Sequence, residues 1–406
     1  MGNRYALFHV ISLEEIKFYF RFLEVLKNDY SLKPLFITTS LFCFFYLKLN
    51  NKEVYLTWRN KGSLSFSESI DEMFNQKVGW LDNKGAINCF SSTLNTCQMI
   101  TERKNILVTF VPSGRLVSHQ ATIKHCRKLN IPIVFSGYGN FPNKTFFDPE
   151  GTDKASSLFR DKTRLDHIHV DLDDFERWKF NYTKNKLKSH IVSQAKKVSL
   201  KTYISRCVRI IFCKLERLIG VCHDVDRGWN SLKELKSSDI GVLNNSAVIP
   251  EKFILFPLQY SLDAQIILNY DGDYEHAISQ AISIARANSL PLVIKPHPVE
   301  NSSIAINYVR HVINENDDVF LSNENTFKLI RDSEFVITVN STVGLESKLM
   351  NKNVIFLGDS IYKEMDQIQC AKYIQSYLVD IDYFSKSTIS SDNMVKIFEI
   401  CEVRFD

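Results

Sequence analysis

Leu290-Pro-Leu-Val-Ile-Lys-Pro-His-Pro298 and Phe335-Val-Ile-Thr-Val-Asn-Ser-Thr-Val-Gly-Leu-Glu346 each carry a short apolar run into a polar cluster. The runs have the length of strands buried on both faces, and the second cluster opens a helical pattern. A strand that feeds a helix N-terminus aims free backbone N–H groups and the positive end of the helix dipole at whatever lies there. With Lys295 and His297 beside that point, the natural ligand is a phosphate.

Outward from these two stretches the pattern repeats. Strands are expected at Phe253 to Leu258, Leu290 to Ile294, Asp318 to Leu321, Phe335 to Val339 and Val354 to Leu357. Helical stretches lie between them, roughly at 274–288, 303–314, 326–332 and 343–350. Short connections of this kind suit a doubly wound parallel sheet, whose ligands bind beyond the carboxyl ends of its strands. The polar clusters all fall at such ends.

The first half alternates in the same way. Tyr5 to Ile11, Pro34 to Leu41, Asn105 to Val111 and Ile131 to Gly137 read as strands, with helices at Leu13 to Lys27 and near Gln120 to Leu129. The expected fold class is therefore α/β, with two Rossmann-like domains facing each other across a cleft, the glycosyltransferase-B architecture. The expected limits are 1–240 for the first domain, 241–390 for the second and 391–406 for a terminal helix. From about 161 to 240 strand signals fade while Lys184, Lys186, Lys188, Lys196, Lys197, Lys201, Arg206, Arg209, Lys214 and Arg217 accumulate. This reads as a helical connector with a solvated basic face, or as a basic surface for an anionic membrane leaflet over 184–217.

Composition narrows the classes. With 406 residues, 45% hydrophobic and 24% charged, the chain can bury two full cores. A formal charge of +4 is too weak for a nucleic-acid partner. Nine cysteines without metal-ligand spacing fit reduced thiols in the cytoplasm. The most apolar segment, Pro34 to Leu47, is broken by Thr38, Thr39 and Ser40 and is too short to span a bilayer.

At the first cluster, prolines on both sides fix the direction of His297, which could donate to a phosphate oxygen or satisfy a turn carbonyl. Lys295 adds a cation. Ser341 and Thr342 can cap the helix and offer hydroxyls, Gly344 leaves room for a ligand, and Glu346 suits the first turn or a ribose. Gln259 and Asp263 follow the strand ending at Leu258, where Asp263 reads as a helix cap or as a nucleophile or base. In the first half Arg115 could clamp a carboxylate, His119 lies one helical turn on, and Glu150 is the candidate acid/base.

Taken together, Phe-Pro-Leu-Gln-x3-Asp-Ala-Gln-Ile (256–266), Ile-Lys-Pro-His-Pro-x-Glu (294–300), Asn-Thr-x-x-Leu-Ile (325–330), Val-Asn-Ser-Thr-Val-Gly-Leu-Glu (339–346) and Val-Ile-Phe-Leu-Gly (354–358) resemble the capsular-polysaccharide biosynthesis family. More narrowly, they resemble retaining β-Kdo (3-deoxy-manno-octulosonic acid) glycosyltransferases. The resemblance is dense over 252–362 and thin over 105–160. It implies transfer of Kdo from CMP-β-Kdo to a capsule, O-antigen or lipid-linked glycan acceptor by double displacement. Asp263 would be the nucleophile, His297 with Ser341 and Thr342 would hold the CMP phosphate, Glu346 would contact the nucleotide, and Glu150 would assist the acceptor hydroxyl. Gln259, Lys295, Gly344, Arg115 and His119 complete the expected binding set. Relatives carry an Arg-Pro pair near Gly139, where this chain has Asn140-Phe141-Pro142. Asp271-Gly272-Asp273 and Asp171-Leu172-Asp173 stand outside site-like positions, so no metal or cofactor is expected. Two other readings remain: an inverting CMP-sialic-acid-type transferase, and a non-catalytic nucleotide-sugar-binding protein.

Overall fold

The computed structural model describes residues 3–59, 73–188, 200–222, 224, 248–298, 300 and 302–405. They divide into two units, one formed by 1–162, 204–228 and 377–406, the other by 163–203 and 229–376.

The first unit holds strands β1 (Arg4–His9), β2 (Leu32–Thr38), β3 (Val54–Leu56), β4 (Asn105–Pro112), β5 (Ile133–Tyr138) and β6 (Thr145–Asp148) in the order β3-β2-β1-β4-β5-β6. All pairs are parallel except β5 with β6. Buried Phe8, Phe36 and Phe110 stack across β1, β2 and β4, with centroids 5.2 and 4.7 Å from Phe8. The helix expected over Leu13 to Lys27 is two helices, Leu13–Phe20 and Leu23–Tyr30. Ser12 and Glu15 form a capping box at the start of the first. β2 stops before Leu41, because the Ser40 hydroxyl accepts from Cys43 N and caps a helix, Leu41–Leu49.

The second unit holds β7 (Ile254–Pro257), β8 (Leu292–Lys295), β9 (Val319–Leu321), β10 (Phe335–Thr338) and β11 (Val354–Phe356), all parallel, in the order β11-β10-β7-β8-β9. Helices Tyr274–Ala287 and Ser303–Glu315 bury Ile278, Ala281, Ile306 and Val309 in the same apolar cluster as Ile254, Leu292 and Val319. The expected α/β class with two Rossmann-like units is what the chain adopts.

The expected domain limits need correction. Residues 377–406 belong to the first unit, where the helix Ser391–Ile400 buries Met394, Ile397 and Phe398 in the core of β1 and β4. Arg21 fastens this tail by donating to the carbonyls of Ser387 and Asp382, each at 2.6 Å. The supposed connector is also divided. The helix Leu172–Lys188 buries Phe175 and Tyr182 in the second unit, while the later part of the helix Leu200–Ile219 buries Ile210 and Glu216 in the first. An amphipathic pattern reports that a face is buried, not which core receives it. Lys196, Lys197 and the side chains of Lys201 and Arg206 lie outside the described residues.

Asp148, at the end of β6, is fully buried and organises the chain after it. It accepts from the backbone N–H of Glu150, Gly151, Ser157 and Leu158, from the Ser157 hydroxyl at 2.7 Å and from the Tyr377 hydroxyl at 3.2 Å. Asp148→Ala would strand these donors, so chemical denaturation should register a loss of about 3–5 kcal/mol. A loss below about 1 kcal/mol would refute this role.

Candidate functional site

The winding of the second unit reverses between β7 and β10, which are neighbours although three strand-to-strand connections separate them. Loops leaving adjacent strands at such a switch point part to opposite faces and open a crevice at the carboxyl edge. The loop after β7 carries Gln259 to Asp263, the loop after β8 carries Pro296 to Glu300, and the loop after β10 carries Asn340 and Ser341.

An amide exchange joins two of them. Gln259 Nε2 donates to Asn340 Oδ1 at 3.0 Å, Asn340 N donates to Gln259 Oε1 at 3.1 Å, and Asn340 Nδ2 donates to the Gln265 carbonyl at 2.9 Å. Gln259 is buried, with both ends of its amide engaged on Asn340. It therefore fixes the loops and does not present a free group to substrate, as had been expected of it. Glu300 ties the β7 loop to the β8 loop, accepting from Ser261 N at 2.7 Å, Ser261 Oγ at 3.1 Å and Ser302 N at 2.9 Å.

On this frame stand Asp263 and His297. Asp263 is the N-cap of the helix Ala264–Asn269, its Oδ1 accepting from Gln265 N at 2.9 Å. Both sequence readings of Asp263 are therefore compatible, since a cap occupies one oxygen of the pair. His297 is half-buried, and burial pushes its imidazole below the ordinary range although Asp263 and Glu300 pull the other way. The carboxylates of Asp263 and Glu300 are thus the charges the ring senses.

Ser341 caps the helix Thr342–Leu349, its Oγ accepting from Val343 N at 3.2 Å while its carbonyl accepts from Gly344 N at 2.9 Å. Thr342, at the first helical position, is half-buried, and its hydroxyl has no hydrogen bond among the described residues. Lys295 Nζ donates to the Glu324 carbonyl at 2.8 Å, and burial lowers its pKa.

Four expectations change. Gly344 does not leave room for a ligand: a Cβ there would lie 2.5 Å from the Phe356 ring and 3.0 Å from Thr338 Cγ2, so the glycine lets the helix seat on β10 and β11. Glu346 is the fifth helical residue, not in the first turn, and its buried Oε1 accepts from the Tyr182 hydroxyl at 2.6 Å and faces Lys186 Nζ at 3.5 Å. Burial raises its pKa, and Lys186 and Tyr182 oppose the rise. In the first unit Arg115 is ion-paired to Asp153, which occupies the fork expected to clamp a carboxylate. His119 is only 1% exposed, so it cannot meet a substrate. It packs edge-on against His9 at 4.8 Å, with neither ring nitrogen hydrogen-bonded. Glu150 is half-exposed and paired with Arg160.

Some of these groups were unmarked in the sequence. Asn340 and Glu300 stood inside the quoted motifs without a role. Tyr182 and Lys186 lay in a lysine-rich stretch that offered only a charge pattern. Their service to Glu346, with Lys186 5.3 Å above the Tyr182 ring and 5.6 Å above that of Phe327, carries no local signal.

Residues 235–366 match the family model described as capsule polysaccharide biosynthesis protein, and the motifs at 256–358 lie inside that segment. Over 120 residues the chain is 33% identical to Protein FixF of Sinorhizobium fredii (strain NBRC 101917 / NGR234), a match covering 29% of each protein. The chain thus spans 29% of the length of that curated relative. Among solved structures, Thermosulfurimonas dismutans KpsC, beta Kdo 2,7 transferase, is similar at a TM-score of 0.42 and 14% identity, covering 98% of this chain and 99% of that one. The same organism's KpsC, beta Kdo 2,4 transferase, gives 0.41 and 12%, over 72% and 88%. Methanocaldococcus jannaschii UDP-GlcNAc 2-epimerase gives 0.32 and 9%, over 98% and 99%. Likenesses this distant say nothing of activity.

Two measurements check this geometry. Gly344→Ala should cost about 1–3 kcal/mol by denaturant unfolding, because Phe356 must move; a neutral result would contradict the packing. Burial holds His9 down to about 3 and His119 well below its ordinary 6.5, so below pH 6.5 the unfolded chain takes up protons that these folded sites refuse. Their contribution therefore lowers stability as pH falls below 6.5. His119→Leu should make the acid loss shallower and raise stability at pH 7 by about 1 kcal/mol, since an unsatisfied ring leaves the core. An unchanged acid limb would show that His119 protonates freely in the fold.

Proposed function

We propose that this chain is a glycosyltransferase of capsule polysaccharide assembly that moves Kdo from CMP-β-Kdo with retention of configuration. The observation that carries the reading is the standing of Asp263 and His297 on adjacent loops at the switch point of the second unit, inside the segment that matches the capsule polysaccharide family.

Bound there, the CMP phosphate would meet the N-terminus of the helix Thr342–Leu349, with the Thr342 hydroxyl and His297 as donors. His297 would serve as a neutral donor at pH 7, because burial disfavours its protonated form. The Asp263 carboxylate attacks the anomeric carbon of Kdo. The bond from that carbon to the phosphate oxygen breaks, and its electron pair leaves with CMP. The backbone N–H of Thr342, at the helix N-terminus, favours the departing anion. In the second step an acceptor hydroxyl attacks the same carbon, loses its proton to a general base, and expels the Asp263 carboxylate. Two inversions give net retention. A glycan or glycolipid is the acceptor in this reading.

The glutamine–asparagine exchange supports the reading by holding the β7 and β10 loops at fixed separation, as double displacement needs the nucleophile held close to its carbon. Lys295 would act at longer range, since its ammonium is bonded to the Glu324 carbonyl.

Intact-protein mass spectrometry after incubation with CMP-Kdo generated in place tests this. A gain of one Kdo in the wild type, absent in Asp263→Ala and in Asp263→Asn, is the expected result. Asp263→Asn can still cap its helix, so its loss of adduct cannot be assigned to unfolding. Transfer to a glycan acceptor with no adduct would favour the inverting reading. CMP bound without adduct or transfer would favour a nucleotide-sugar-binding protein.

A further inference from the structure

Two aromatic side chains stand open at the carboxyl edge of the first sheet. Tyr138 is the last residue of β5 and is 58% exposed. Phe384, on the returning segment of the first unit, is 70% exposed, and its ring lies 5.7 Å from that of Tyr138, within 23° of parallel. Both rings are held from behind. Tyr383 meets Tyr138 edge-on at 4.8 Å and stacks on buried Phe18 at 4.1 Å. The turn that presents Phe384 is fixed by Asp382 Oδ1, which accepts from Phe384 N at 2.9 Å, and by Arg21, which donates to the Asp382 carbonyl. The rings are thus ordered before any ligand arrives, which lowers the entropy cost of binding.

Uncommitted polar groups border the rings. Among the described residues neither the Tyr138 nor the Tyr383 hydroxyl has a hydrogen bond, and the exposed Glu14 carboxylate has neither a hydrogen bond nor an ion pair. Glu14 lies in the first turn of the helix Leu13–Phe20, which follows β1, so it stands at the same edge of the sheet. Glu15 beside it accepts from Ile11 N at 2.7 Å and from Ser12 N at 3.0 Å. Burial and these two carboxylates push the Tyr138 hydroxyl above its ordinary range, and both carboxylates act on Tyr383 in the same sense. Lys17 and Lys386, the cations nearest in sequence, are exposed, and neither is among the charges acting on Tyr138.

We propose that Tyr138 and Phe384 form a platform that binds a neutral sugar ring. The C–H face of a pyranose is apolar and weakly positive, which suits the negative face of an aromatic ring. Hydroxyls project around that face, where the two tyrosine hydroxyls and Glu14 can pair with them. An apolar face rimmed by hydroxyls thus matches open rings rimmed by uncommitted polar groups. A carboxylate beside the rings disfavours an acidic sugar, because like charges would meet. The carboxyl edge of a parallel sheet is also where such folds take their ligands. That the sugar is part of the glycan acceptor rests on the transferase reading above; that a sugar binds here does not.

Saturation-transfer NMR at pH 7 tests it with the full chain. The neutral probes are methyl β-D-glucoside and methyl β-D-galactoside, and the acidic ones are the matching glucuronide and galacturonide. Ring C–H protons of at least one neutral glycoside should receive saturation, and its acidic counterpart should bind about tenfold more weakly. Phe384→Ala and Tyr138→Ala should each weaken the neutral glycoside about tenfold, with melting temperature unchanged. Should Tyr138→Ala unfold the chain, Tyr138→Leu replaces it. Glu14→Gln should narrow the gap between neutral and acidic probes. No saturation of either neutral glycoside, equal binding of the acidic ones, or signals that survive both ring changes overturns the proposal. So would a dimer, seen by analytical ultracentrifugation, that Phe384→Ala dissociates, since a second copy would then cover the rings. An adduct on Asp263 with no sugar held here would remove this site and leave the chemistry; a sugar held here with neither adduct nor transfer would do the reverse.

Discussion

Where β10 pairs with β7 instead of extending the sheet beyond β9, the second unit must send the loops after these two neighbouring strands to opposite faces. A parallel strand cannot return through a hairpin, so each connection is a crossover helix and each strand end faces the same edge. That constraint collects polar clusters distant in sequence at one edge, as the reach of Gln259 to Asn340 across 81 positions records. The amide exchange then prevents the parting loops from separating further. Asp263, His297 and Ser341 have the positions they have because those loops are fixed.

The same edge shows how much of a site is scaffolding. Asn340 bonds to Gln259 and to Gln265, Glu300 gathers Ser261 and Ser302, and Tyr182 with Lys186 holds Glu346. These groups leave few donors uncommitted. The Thr342 hydroxyl, at the tip of its helix, is one group left without a hydrogen bond among the described residues.

Two buried polar groups of the first unit fare differently. Asp148 in the first unit is buried among six donors, so its carboxylate works as a structural acceptor. His119 is buried with none, which leaves it a ring in the core. Burial by itself therefore does not mark a functional group; the partners do.

Strand-length apolar runs ending in polar clusters are local patterns, and they determined the α/β class, the parallel sheets and most strand positions, including all five strands of the second unit. Capping chemistry is equally local, which is why Ser341 and Asp263 were legible as caps. The tertiary structure alone decided the rest. Glu346 meets Tyr182 from 164 positions away, Arg115 meets Asp153, Gly344 yields to the Phe356 ring, and the terminal helix returns to the first core. A side chain's period says which face of its element it occupies. What stands against that face is settled by long-range packing, and no short window of sequence contains it.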